Sequence, residues 1–333
     1  MTKDFYGPMF IVGMPRSGTK LMRALLNQHP QINLTLAESH FIPYFLKRFG
    51  NPPPFRGRED LEPFVRELLK TPFFSTMRKA GYTLDEPTFL QSVDYTRWSP
   101  IFEHVFRHFG SKGATSGTIW GDKTPGYINH VPLLKALFPE AKFLHMIRDP
   151  RDYCLSVRKS FAKSIYRAAY RWRQGVENAH RCGARLGQDY KEVRYELLLE
   201  NPVSTMRDVA SFLGVSYDAR MVNLASAPED LGDAKGHSKI LTKNKGKYRT
   251  QLSSQEIKRI EELVGDVAKS AGYHLENDVA RRSLNSFTLG ILKLHDGVAS
   301  LRHHVAAERE LTKGVKRLFH HYTKSSWRVV TSD

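Results

Sequence analysis

The sequence predicts an α/β fold, a parallel β-sheet flanked by helices, with a helical insertion at about 40–110 and a C-terminal helical extension. Two observations carry this reading. A wholly apolar run at Met9–Gly13 passes through a glycine-containing turn into a segment of helical periodicity, and three more short strand-like runs are each followed by a helical stretch. Strands that alternate with helices are joined by crossovers, and crossovers build a parallel sheet covered on both faces.

Met9-Phe10-Ile11-Val12-Gly13 has no polar side chain, as a strand buried on both faces requires. Met14-Pro15-Arg16-Ser17-Gly18 follows as a loop. From Thr19 to His29 the residues Met22, Leu25 and Leu26 share one helical face, and Pro30 ends that helix. Residues 40–110 read as mostly helical, interrupted by the loop Asn51-Pro52-Pro53-Pro54. Gly117-Thr118-Ile119-Trp120 is the second strand, leading into Gly121-Asp122-Lys123-Thr124-Pro125 and a helix at about 127–138. Lys142–Ile147 is the third, running into Arg148-Asp149-Pro150-Arg151-Asp152 and a further helix in which Arg151 and Arg158 read as solvated charges. A long basic helix over 163–187 precedes the fourth strand, Tyr190–Arg194, and Tyr195–Asn201 opens another helix. Residues 225–250 are rich in Gly, Lys, Ser and Asp without apolar periodicity; a surface loop of that length is more often functional than idle. Ser253-Ser254-Gln255-Glu256 resembles a capping box ahead of a helix over 255–271, and beyond Asn277 the chain reads as helical, basic and rich in histidine (His295, His303, His304, His320, His321).

The chain has 333 residues, 41% hydrophobic and 26% charged, which excludes a disordered or fibrous protein. Its two cysteines, Cys154 and Cys182, are too few for a disulfide framework or a cysteine-rich metal site and read as small buried hydrophobes. No run approaches the roughly 18 apolar residues of a membrane span. The first strand begins so soon after Met1 that no room is left for a signal peptide, which sets a cytoplasmic expectation. The formal charge of +17 calls for an anionic partner: nucleic acid, a membrane surface or a polyanionic small ligand.

The motifs choose among these. In a parallel sheet, ligands sit at the C-terminal ends of the strands. There the turn Gly13–Lys20 gathers glycines that let the backbone approach a phosphate, the cations Arg16 and Lys20, the hydroxyls of Ser17 and Thr19, and a helix N-terminus aimed at an anion. The order Gly18-Thr19-Lys20 displaces the lysine by one residue from a nucleotide triphosphatase P-loop, about 100° around a helix, so the fold is P-loop-like while kinase or ATPase chemistry is disfavoured. Arg148 ends the third strand, and Ser156 lies in the second turn of the helix after it, facing back toward the strand tip. Together they form a second anion pocket. Two anion sites on neighbouring strands point to one ligand with anionic groups at both ends.

These residues resemble a known family. Phe10–Arg23 is similar to the 5′-phosphosulfate loop of sulfotransferases that use 3′-phosphoadenosine 5′-phosphosulfate (PAPS), above all the protein-tyrosine sulfotransferases and their bacterial relatives. Arg148–Ser156 resembles the 3′-phosphate motif, and Val193–Pro202 the Arg-Tyr-Glu-x-Leu element whose tyrosine, here Tyr195, approaches the nucleotide. Lys245–Arg249 resembles the basic loop, with Lys247 and Tyr248, that closes over the cofactor. The resemblance covers roughly 9–273, so 1–275 is expected to be the sulfotransferase domain and 276–333 a basic helical extension. It implies that Arg16, Ser17, Gly18 and Thr19 hold the 5′-phosphosulfate and that Arg148 and Ser156 hold the 3′-phosphate, leaving 3′-phosphoadenosine 5′-phosphate (PAP) as product. Relatives carry a second threonine where this chain has Lys20, which either pairs with the phosphosulfate or points away.

Sulfuryl transfer to an alcohol needs a base for the hydroxyl proton, alignment of the group in flight and stabilisation of the leaving oxygen, with no metal required. Arg16 stands at that reacting centre. Glu38, before Phe41-Ile42-Pro43, aligns with the base of the tyrosine sulfotransferases, with His40 as second candidate where relatives carry arginine; a helix-capping role is the structural alternative for Glu38. Lys123 matches the family's Lys-x-Pro lysine, thought to polarise the leaving oxygen, and Asp122 either orients it or caps the turn. The function expected is sulfuryl transfer from PAPS to a hydroxyl-bearing acceptor: a peptide tyrosine, a carbohydrate, a lipid or a small natural product. Nucleic acid is not an expected partner. The rival readings are a P-loop-like small-molecule kinase and a basic nucleic-acid or membrane-surface binding protein. The C-terminal helices leave open a peripheral membrane contact or a homodimer.

Overall fold

A computed structural model describes residues 5–113, 117–277 and 282–308. Five strands, β1 (Met9–Gly13), β2 (Ile32–Leu34), β3 (Ile119–Lys123), β4 (Lys142–Ile147) and β5 (Tyr190–Arg194), form one sheet in the order β2-β3-β1-β4-β5. Every pairing is parallel. Helix α1 (Thr19–Leu26) carries the chain from β1 past β3 to the far edge, so the chain reverses its direction across the sheet beside β1. Ligands of open parallel sheets bind at such a reversal, at the C-terminal strand ends.

Both faces are covered, as the unbroken apolar run of β1 requires. Phe10 and Val12 belong to one core with the insertion helices α2 (Ile42–Phe49), α3 (Leu61–Leu69), α4 (Pro72–Lys79), α5 (Glu86–Ser92) and α6 (Trp98–His108). That core is aromatic: Phe41, Phe45, Phe64, Phe73 and Phe106 are fully buried, and Trp98 stacks on Phe102 at 5.3 Å. Met9 and Ile11 point the other way, into a core with α1, α10 (Tyr195–Glu200) and α11 (Pro202–Leu213). A third core joins α8 (Pro150–Phe161), α9 (Ile165–Leu186) and α13 (Ser254–Ser270), after the single turn α12 (Tyr248–Gln251). Helix α7 (Val131–Leu137) links β3 to β4. The last described helix, α14 (Ser286–Glu308), docks through Leu289 and Leu292 on the third core, and its buried Asp296 accepts hydrogen bonds from Ser164 N and Arg167 Nη1, both at 2.7 Å. Residues 309–333, with His320 and His321, lie outside the described residues.

The differences from the sequence reading have local causes. The first helix stops at Leu26 because Asn27 turns its side chain onto the next segment. Its Nδ2 donates to the Leu34 carbonyl at 3.1 Å and its Oδ1 accepts from Leu34 N at 2.8 Å. That clasp holds β2, a strand three residues long that has no room to display an alternation. The second strand runs over Ile119–Lys123 rather than 117–120, so Gly121, Asp122 and Lys123 are sheet residues. Pro125–Asn129 forms a 3-10 turn, and α7 starts only after it. Arg151 is a buried rather than a solvated charge, held by Asp149 at 2.7 Å and Glu261 at 2.7 Å. Cys154 and Cys182 are both buried and free, and Ser253 with Glu256 makes the full reciprocal capping box.

Gly121 pairs with Met9, and a Cβ there would lie 1.9 Å from the Met9 carbonyl oxygen. A backbone atom in a central strand cannot yield, so Gly121→Ala is expected to destabilise the fold by about 3 kcal/mol or more. Urea unfolding measured by circular dichroism checks this; a loss within about 0.5 kcal/mol, as for an ordinary surface change, would contradict it.

Candidate active site

Register builds the site. Gly13 pairs with Met146 and Ile11 with Lys123, so the turn after β1, the tip of β3 and the tip of β4 lie side by side. In the turn, Ser17 N donates to the Met14 carbonyl at 3.1 Å, and two residues take left-handed conformations, Arg16 at φ 78° and Gly18 at φ 86°. Gly18 is required twice over: its φ strains a side chain, and a Cβ would stand 2.3 Å from the ring of Tyr195. Thr19 opens α1 with no side-chain cap and no acid in the first turn, so the first N–H groups and the positive end of the helix are left for another partner.

Two arginines join across this turn. Arg148 Nη1 donates to the carbonyl of Arg16 at 3.1 Å and Nη2 to that of Asn244 at 3.2 Å, while the guanidinium lies 4.7 Å over the Tyr195 ring. Trp172 Nε1 donates to the Arg148 carbonyl at 3.0 Å and fixes the strand tip from behind. Asn244 Nδ2 donates to Tyr195 Oη at 3.0 Å, which closes the ring of contacts. Arg16 Nε donates to Ser156 Oγ at 3.3 Å, so Ser156 stands at the same place. Arg16, Arg148 and Asn244 divide two open clefts of about 470 and 340 Å³. The larger is floored by Gly18 and Tyr195; the smaller is lined by Ser156, Lys159 and Lys247. Two polar atoms of the cradle, Ser17 Oγ and Arg148 Nε, are buried without a hydrogen-bond partner. Buried donors are rarely left so, and their place in a cationic turn marks a site shaped for an anion.

Beside the turn, Glu38 sits between Lys123 and His40. One carboxylate oxygen is ion-paired with Lys123 Nζ, and Oε2 accepts from His40 Nε2 at 2.8 Å. An ionised carboxylate only accepts, so this nitrogen carries the imidazole proton. Burial favours the neutral carboxyl, but Lys123 and His40 outweigh it and hold Glu38 well below the usual carboxylate range. Burial likewise lowers the pKa of the Lys123 ammonium, against the pull of Glu38. Behind them a buried network sets the strand tip: Asp122 accepts from Thr35 Oγ1 at 3.0 Å and Ser39 Oγ at 2.9 Å, and Ser39 N donates to Thr124 Oγ1 at 2.9 Å. Asp122 therefore orders the loop that carries Glu38 and does not pair with Lys123. Glu38 caps no helix: α2 begins at Ile42 with Phe41 as its N-cap residue.

Most of the site residues read from the sequence converge here. Ser17 and Thr19 are buried in the turn, and Lys20 is ion-paired with Asp230. Lys247 faces the smaller cleft and pairs with Asp233 at 2.7 Å. Tyr248 does not join them: its ring lies under Arg151 at 4.1 Å, its hydroxyl donates to Glu276 at 2.9 Å, and it lines neither cleft. Asp152 accepts from Gly246 N and from Tyr248 N at 2.9 Å, so it is the backbone of this loop that is anchored. Sequence reasoning missed Asn244, whose partners are 96 and 49 residues away, and no local pattern announces such contacts. It also missed Arg23, half-buried on α1 with its charge near Glu38, although helical spacing from Thr19 and Lys20 places it on the same side of α1. Among the described residues no group of three or more His, Cys, Asp or Glu is placed to hold a metal ion, and no helix is long and apolar enough to cross a membrane.

A model of the sulfotransferase family matches residues 8–219. Protein-tyrosine sulfotransferase 2 of Gallus gallus is 28% identical over 217 residues, covering 63% of this chain and 51% of the relative. Protein-tyrosine sulfotransferase 1 of Danio rerio is 27% identical over 218 residues, covering 63% and 54%. The chain thus spans about half the length of the curated relatives it matches. Two solved structures share the fold. The sulfotransferase domain of the Synechococcus PCC 7002 olefin synthase gives a TM-score of 0.52 at 22% identity, covering 83% of this chain and 98% of that one. The sulfotransferase domain from the curacin biosynthetic pathway gives 0.54 at 18% identity, covering 82% and 100%.

The Lys123–Glu38 pair makes a signed prediction. With the ammonium present, Glu38 stays ionised as pH falls through the ordinary glutamate value of about 4.3. In Lys123→Met the lowering by the ammonium is lost while burial remains, so the Glu38 carboxyl should titrate at higher pH than in the wild type. Carboxyl ¹³C NMR titration of both proteins tests this; an unchanged midpoint would contradict it.

Proposed function

The chain belongs to the sulfotransferase family, and on that premise we propose that it moves a sulfuryl group from PAPS to an acceptor hydroxyl by in-line transfer, with Glu38 as general base. The observation that carries this reading is the hydrogen bond from Arg148 to the carbonyl of Arg16, which fuses two anion cradles into one. The unpartnered Ser17 Oγ and Arg148 Nε fit an anionic nucleotide there.

In this reading Arg16, Ser17, Gly18 and Thr19, with the N–H groups opening α1, hold the 5′-phosphosulfate; Lys20 joins them once freed of Asp230. Arg148, Ser156 and Lys247 hold the 3′-phosphate, and Tyr195 supports the floor beneath Gly18 and Arg148. When bound, PAPS supplies a sulfuryl group on a phosphate leaving group. Lys123 then exchanges Glu38 for the developing charge on the leaving oxygen. That exchange frees one oxygen of Glu38 and removes the ammonium that depresses its proton affinity, so the carboxylate becomes a stronger base when the donor is in place. His40 keeps the other carboxylate oxygen and orients the base. The acceptor is a hydroxyl compound; among peptide, carbohydrate, lipid and small natural product, the names of the curated relatives favour a peptide tyrosine.

Arg148→Ala removes charge-assisted hydrogen bonds worth about 1.5–3 kcal/mol, so PAP should bind roughly 10- to 100-fold more weakly by titration calorimetry. Unchanged affinity would remove the 3′-phosphate assignment. Glu38→Gln should slow turnover with PAPS and a hydroxyl acceptor by about a hundredfold or more while PAP affinity holds; wild-type turnover would exclude Glu38 as the base.

A further inference from the structure

Three acidic residues lie within five positions, Glu229, Asp230 and Asp233, in the loop that follows α11. Each is engaged with a cation of the donor cradle. Glu229 Oε2 accepts from Arg16 Nη1 at 3.0 Å, Asp230 is ion-paired with Lys20, and Asp233 accepts from Lys247 Nζ at 2.7 Å and Lys159 Nζ at 3.2 Å. The backbone adds to this, because the Leu231 carbonyl accepts from Arg16 Nη2 at 2.8 Å. Gly232, at φ 72°, comes so close that a Cβ would lie 2.7 Å from that same nitrogen. The segment closes on itself through Gly236 N to the Glu229 carbonyl at 3.2 Å and Lys235 N to the Gly232 carbonyl at 3.1 Å. It therefore sits on the cradle as one compact piece.

We propose that residues 229–233 are an acidic strap that neutralises the cations of the donor cradle in the resting protein and must leave when the nucleotide binds. This rests on the donor reading above. The same cations serve both occupants: both Nη atoms of Arg16 are engaged by the strap, and Lys20 and Lys247 are neutralised by it. A nucleotide with anionic groups at its two ends presents like charge to Glu229, Asp230 and Asp233 at every one of those positions. The two cannot coexist without net repulsion, so apparent donor affinity is the intrinsic affinity reduced by the fraction of strap-free protein. The contacts are unequal. Arg16 and Glu229 are 11% and 13% exposed, whereas Asp230 is 73% exposed. Exposed pairs contribute little and sheltered ones more, so Glu229 holds the strap in place.

The test uses the full chain and PAP as probe. In titration calorimetry at fixed ionic strength, Glu229→Gln should bind PAP about tenfold more tightly than wild type, Asp233→Asn a few-fold and Asp230→Asn least. In a separate measurement on the wild-type protein, PAP should speed amide hydrogen exchange over 229–236, where the segment loses its cover on the cradle. Weaker or unchanged PAP binding by Glu229→Gln, or slower exchange over 229–236 with PAP, overturns the strap and describes a clamp or a bystander. Failure of the wild type and all three variants to bind PAP overturns the donor reading itself, and the strap with it.

Discussion

The hydrogen bond from Arg148 to the carbonyl of Arg16 is the constraint on which the rest of the site depends. It exists because β1 and β4 are neighbours in parallel register, with Gly13 opposite Met146, so that their two exit turns emerge side by side. Tyr195 lies beneath both turns, its ring against Gly18 and under the Arg148 guanidinium. Trp172 and Asn244 then leave Arg148 little freedom to move. Arg148 is thus preorganised: the sheet, Trp172 and Asn244 hold its guanidinium against the turn that carries Arg16. Preorganised donors of this kind lose little on binding, which is what makes them effective.

Much of this was legible in the sequence, and where it was not the reason is physical. The apolar run of β1, the Gly13–Lys20 turn and the Arg148–Ser156 spacing are local signals, and the fold places all three as read. Strand β2 was hidden because three residues cannot show a period; its existence follows from Asn27 clasping Leu34. Asn244 was hidden because its role is wholly tertiary. Tyr248 was misplaced because a basic loop motif says which segment approaches a ligand but not which side chains turn inward: Lys247 faces the cleft, while Tyr248 packs under Arg151. The acids at 229–233 were visible as composition, yet nothing local showed that they meet the cations of a turn more than 200 residues earlier.

The charge distribution ties these features together. A net charge of +17 is large, but at the site the cations are not bare: Arg16, Lys20, Lys123 and Lys247 each hold a carboxylate. Within the sulfotransferase family membership of this chain, the proposed chemistry is then an exchange of partners. Resident carboxylates give way to the anionic groups of the donor, and Lys123 in particular turns from the base toward the leaving oxygen. The resting ion pairs keep a cluster of like charges stable while leaving each cation one step from its working position.

The central claim is that the two cradles grip opposite ends of one nucleotide. Titration calorimetry of the wild-type protein with PAP, adenosine 5′-monophosphate and adenosine 3′-monophosphate tests it most directly. The account predicts that PAP binds at least about tenfold more tightly than either monophosphate, since each phosphate adds charge-assisted hydrogen bonds of about 1.5–3 kcal/mol. A bisphosphate no tighter than the better monophosphate would contradict it, because one of the two cradles would then contribute nothing.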